Sequence, residues 1–66
     1  MLRYEIRPEN NYLMIHFSNK QRALKYGRSI TDSTNRCTSV YDLREDTEIG
    51  KWCFSAEKGG KRYKAF

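Results

Sequence analysis

The hydrophobic spacing of this chain predicts an α+β fold: a small antiparallel sheet of about five strands, in ββαβββ order, with one helix packed on one face. Three observations predict it. Near the start, Leu2, Tyr4 and Ile6 alternate with Arg3, Glu5 and Arg7, the period of a strand with one wet face. Residues 18–30 change to the period of an amphipathic helix. Three more short apolar segments follow, separated by acidic or glycine-containing turns. One helix covers only one face of a sheet, so the other face should meet water.

The first strand covers residues 2–7. Pro8-Glu9-Asn10-Asn11 supplies turn dihedrals. Residues 12–17 return as a second strand, with Leu13, Ile15 and Phe17 toward the core and Tyr12, Met14 and His16 away from it. Ser18-Asn19-Lys20-Gln21 reads as a capping box, Ser18 accepting from the Gln21 backbone N–H. The helix should run to about Ser29 or Ile30, with Ala23, Leu24, Gly27 and Ile30 on one side. Arg22, Lys25 and Ser29 fall opposite, with Arg28 beside them. Gly27 costs about 1 kcal/mol in a helix interior relative to Ala, which suits close packing on the sheet or an early end at Tyr26.

Residues 31–36 are polar and read as a loop. Residues 38–43 read as the third strand and 44–50 as an acidic turn. The fourth strand covers 51–56, with Trp52, Phe54 and Ala56 on one face. Residues 57–60 turn the chain and 61–66 form the fifth strand. Short connections make the last three strands a meander, whereas the first hairpin can join the sheet at either edge. The whole is expected to be a single domain over 1–66.

Sixty-six residues bury only about 60% of the unfolded surface, so the stability of the domain is marginal. Five Tyr, three Phe and one Trp partly compensate, since each buries a large area. Lys and Arg number 13 and Asp and Glu 8, a net charge of +5. Asp42, Glu45, Asp46 and Glu48 form an acidic stretch just before a basic hairpin. Ordinary solubilising charge is one account of this excess. Steering toward an anionic partner is the other. No apolar leader segment follows Met1, and no run approaches the roughly 20 apolar residues that cross a membrane. The chain is therefore expected to be soluble and cytoplasmic, with no membrane partner. Cys37 and Cys53 fit no metal or redox spacing and are expected as free thiols; a disulfide is open to them only if their strands are neighbours.

Nothing in the chain suits chemistry on a substrate. His16, the lone histidine, sits in a strand with no acid near it in sequence and no nucleophile at elbow spacing. His16, Cys37 and Cys53 lack the paired spacing of a structural zinc site. Gly59-Gly60-Lys61 is explained by a hairpin turn better than by a phosphate loop. The expectation is a protein that is not an enzyme and holds no metal or cofactor.

Two basic surfaces remain as candidate partner-binding sites. The first is the helix face, Arg22, Lys25 and Arg28. The second is the C-terminal hairpin, Lys58, Lys61, Arg62 and Lys64, where seven residues carry four positive charges and no acid. Cations interleaved with aromatic rings suit contact with a nucleic acid or with a protein that handles one. A solvated helix exterior and a guarded edge strand are the plainer accounts. Tyr4 or Tyr12 with Met14, His16 and Tyr41 make a candidate aromatic patch on the wet sheet face, for a protein partner or a homodimer.

The run from Ser18 to Ile30, then Cys37-Thr38-Ser39-Val40, Gly50-Lys51-Trp52 and Lys58-Gly59-Gly60-Lys61-Arg62-Tyr63 resembles small phage-encoded anti-CRISPR proteins, in particular compact basic α+β inhibitors of type I-F surveillance complexes. The resemblance covers roughly the last two-thirds of the chain; the first hairpin does not match closely. It implies a stoichiometric inhibitor that acts in the host cytoplasm, docks on a nucleoprotein complex and blocks or misdirects its DNA binding. Lys58, Lys61, Arg62 and Lys64 would touch protein and phosphate together. A direct DNA- or RNA-binding accessory protein is the alternative.

Overall fold

A computed structural model describes residues 2–9, 14–57 and 59–66. Strand β1 covers Tyr4–Pro8, β2 Ile15–Phe17, helix α1 Lys20–Thr34, β3 Thr38–Asp42, β4 Thr47–Ser55 and β5 Lys61–Lys64. The strands form one antiparallel sheet in the order β2-β1-β3-β4-β5, with α1 packed against it. The architecture is α+β. The last three strands are a meander, and the first hairpin joins through β1, which pairs with β3 and leaves β2 at the edge.

The pleat sorts the residues. Tyr4 and Ile6 of β1, Val40 of β3 and Trp52 of β4 face the helix and form the core with Ala23. Ile15, Phe17, Leu24, Ile30 and Ile49 pack around them. Gly27 lets the helix approach the sheet closely, and Gly50 makes room within β4 for the Trp52 ring. A Cβ on Gly27 would lie 2.8 Å from Val40 Cγ2, and one on Gly50 would lie 2.8 Å from the Trp52 ring. Gly27 thus serves close packing and does not end the helix.

Four expectations are corrected. The N-cap is Asn19, whose side chain accepts from the Arg22 N–H at 3.0 Å, one residue beyond Ser18. The helix continues through Thr34, because its loop-forming side chains find partners on β4 and on the preceding helical turn. Buried Thr31 donates to the Trp52 carbonyl at 3.3 Å, and the Ser33 and Thr34 hydroxyls bond to the Ser29 and Ile30 carbonyls. Asn35, in the left-handed region, closes the helix with its N–H on Thr31 O. Third, β4 begins at Thr47 and not at Lys51. The register shifts between Val40 and Tyr41, which pair with Gly50 and Glu48, so Ile49 is an extra residue in the ladder. The acidic turn shrinks accordingly to residues 43–46.

The fourth correction is covalent. Cys37 and Cys53 are joined in a disulfide, with Cα atoms 4.0 Å apart, and are not free thiols. The reason is register: Thr38 pairs with Trp52, which sets the residues before and after them opposite each other on neighbouring strands. Tyr12 and Leu13, assigned to the second strand from sequence, lie outside the described residues. No helix among the described residues is long and apolar enough to cross a membrane.

Candidate partner-binding surface

The cations predicted to act together are divided by the fold. On β5, side chains alternate between the two faces of the sheet. Arg62 and Lys64 pair with Phe54 and Trp52 and share their helix-side face. Lys61 and Tyr63 pair with Ser55 and Cys53 on the opposite face. Lys58 lies outside the described residues. Arg62 is tied down: its Nη1 donates to Asp32 Oδ2 at 2.6 Å, linking β5 to the last turn of α1.

Arg28 is not a plain surface cation either. It is half-buried, and its guanidinium lies 5.6 Å from the centre of the Trp52 ring. Since Trp52 is the cross-strand partner of Lys64, Arg28 and Lys64 flank one aromatic residue. Arg22 and Lys25 are exposed on α1. With Phe17, Tyr26 and Ser29 they line a depression of about 280 Å³ between α1 and β2. The Phe17 and Tyr26 rings meet at 5.3 Å with a tilt of 51°. This second cluster contains an aromatic component, Tyr26, that the sequence reading did not use. Its signal was present: Tyr26 follows Arg22 by four residues, one helical turn.

The charges of α1 are arranged against its own dipole. The first turn contains no acid and the last turn no base. Lys20 and Arg22 stand in the first turn instead, and Asp32 is the single acid of the helix, near its end. Lys20, Arg22 and Lys25 form no ion pair among the described residues. Arg22, Lys25 and Arg28 follow one another at intervals of three, as surface neighbours of like charge.

Among the described residues, the wet face of the sheet carries a connected polar network around Tyr41. Tyr4 is buried in the core. Glu5 accepts from Arg7 Nε and meets His16 Nε2 at 2.9 Å. The hydrogen bond from Arg7 and that from His16 hold the Glu5 carboxyl below its usual range, against a desolvation cost. Arg7 covers the Tyr41 ring at 3.9 Å, and a hydrogen bond to Glu48 raises the Tyr41 phenol. Met14 of that set is exposed, and Tyr12 lies outside the described residues. Among the described residues, no group of three or more His, Cys, Asp and Glu draws together to hold a metal ion.

No protein-family model matches the chain, and neither a curated protein nor a solved structure matches it.

Proposed function

We propose that this protein is a non-catalytic binding module that docks on a nucleoprotein complex of its host through the cations of α1 and β5. The finer proposal, carried by the short motifs shared with anti-CRISPR proteins, is inhibition of a CRISPR surveillance complex by blocking or misdirecting its DNA binding. The observation that supports docking is the charge order of α1. A helix optimised for its own stability puts acids in the first turn and bases in the last, each worth about 0.3–1 kcal/mol. This helix does the reverse, and its neighbouring cations repel. An anionic partner accounts for charges that work against the fold. Arg28 and Lys64 extend the positive surface past Trp52 to β5, and Lys61 carries it to the other face. Arg62 contributes least, because Asp32 neutralises it.

The proposed site of action is the cytoplasm, where reducing thiols would act on the Cys37–Cys53 bond. The fold must then stand without that bond.

The test is co-migration with a purified surveillance complex and the effect on its target-DNA binding. The wild-type protein should associate and inhibit. The triple variant Arg22→Glu, Lys25→Glu, Lys64→Glu should lose association while keeping the far-UV spectrum of the wild type, since all three side chains are exposed. Unchanged association would leave these cations as solvated charge. Binding to bare DNA with log K falling linearly against log salt, and none to the complex, would install the nucleic-acid-binding alternative in its place.

A further inference from the structure

We propose that the depression between α1 and β2 holds an unstacked nucleotide of single-stranded nucleic acid, with its base against Tyr26 and its phosphates on Arg22 and Lys25. This rests on the docking reading above and names the component of the partner that this part of the surface would take.

Three features of the depression meet in one place. The first is an available ring. Tyr26 is 42% exposed although it belongs to a helix that buries its opposite side. Phe17 packs against it at 5.3 Å, so the ring is held in place and offers its remaining surface to solvent. The second is charge without a counter-charge. Arg22 and Lys25 line the same depression, form no ion pair among the described residues and have no acid one turn away on α1. The third is a small polar residue, Ser29, which completes the lining. A ring and two cations around an open depression of about 280 Å³ suit one nucleotide, its base on the ring and its phosphates on the cations.

The form of nucleic acid follows from the ring. In a duplex the base faces are stacked on one another and have none to give to a side chain. An unpaired strand has free faces, and stacking on an aromatic residue tolerates any sequence. An acidic peptide would satisfy Arg22 and Lys25 but would leave the Tyr26 face unused.

The experiment measures fluorescence anisotropy of a labelled oligo-thymidine of about 12 nucleotides. Its competitors are an abasic strand of the same length, a duplex and an oligo-glutamate peptide. Tyr26→Ala should weaken single-strand binding about 5- to 150-fold, the range that one base–aromatic stack supplies. Tyr26→Leu, which keeps apolar bulk against Phe17, should lose nearly as much, and Tyr26→Phe should retain binding. Arg22→Glu with Lys25→Glu should flatten the slope of log K against log salt by about 1.4, two contacts at about 0.7 each. Wild-type affinity in Tyr26→Leu, or equal competition by the abasic strand or the peptide, would overturn the nucleotide site and leave charge-driven docking standing. Loss of single-strand binding in all three Tyr26 variants, Tyr26→Phe included, would also overturn it. Docking itself falls separately, if the Arg22, Lys25, Lys64 variant still binds the complex.

Discussion

Four donors converge on the Asp42 carboxylate, which is buried where β3 runs into the turn before β4. Arg3 Nε and Nη2 donate at 2.9 and 2.8 Å, and the Arg44 and Glu45 backbone N–H groups at 3.0 and 3.3 Å. The Arg3 pair holds the carboxyl at about 2, helped by the two backbone donors and opposed by desolvation. A carboxyl depressed in the folded state stabilises the fold above its unfolded value, about 3.9, and that contribution disappears as pH falls through the folded value. Circular dichroism melts between pH 5 and pH 2 should therefore show falling stability, in a window set by the value of about 2. Asp42→Asn should be less stable at neutral pH and show a shallower acid slope. Glu5, also held low by Arg7, keeps part of the slope in the variant. An identical slope in Asp42→Asn would show that the Arg3 pair does not govern acid unfolding.

At Gly27, α1 packs closely on β3 and β4. Alanine there gains about 1 kcal/mol of helix propensity. Its Cβ would lie 2.8 Å from Val40 Cγ2 and 3.2 Å from Trp52 Cζ3, and both side chains are buried in the core with little room to yield. Overpacking of this kind costs about 1–3 kcal/mol, so Gly27→Ala should be destabilised by up to about 2 kcal/mol net, and Val40→Ala should relieve the penalty in a double-mutant cycle. A raised melting midpoint in Gly27→Ala would show that the helix can lift away from the sheet. Much at this scale was legible in sequence, because period sorts faces: Ile6 in the first alternation, and Ala23, Leu24 and Gly27 on one side of α1, fall in or against the core. Leu2 of the same alternation, by contrast, is exposed, and Tyr4, also offered to the wet face, is buried. What stayed hidden depends on distant partners. Residues 31–34 look like a loop until Thr31 finds the Trp52 carbonyl. Residues 47–50 look like turn until they pair with β3 across a bulge. That Arg62 and Lys64 share a face follows from the alternation of β5. Only the fold could place Asp32 against Arg62 and Trp52 under Arg28.

For the molecule as a whole, the decisive quantity is how much of a marginal stability comes from one covalent bond. A 66-residue chain folds with about 0.05–0.15 kcal/mol per residue. The Cys37–Cys53 bond joins strands that are already paired, across a sequence separation of 16. Closing a loop of about 15 residues in the unfolded chain contributes about 3 kcal/mol by the chain-entropy account. That is a large share of the total, and it is withdrawn wherever thiols keep cysteines reduced. Melting the protein with and without a dithiol reductant should lower the midpoint by roughly 12–24 °C, at about 4–8 °C per kcal/mol in a domain of this size. Cys37→Ser with Cys53→Ser should reproduce the reduced midpoint. The reduced chain should still unfold cooperatively above ambient temperature, because the core of Ile6, Val40, Ala23 and Trp52 does not include the disulfide. A reduced chain that is unfolded at ambient temperature would confine the active protein to an oxidising compartment, and docking on a cytoplasmic nucleoprotein complex would fall with it.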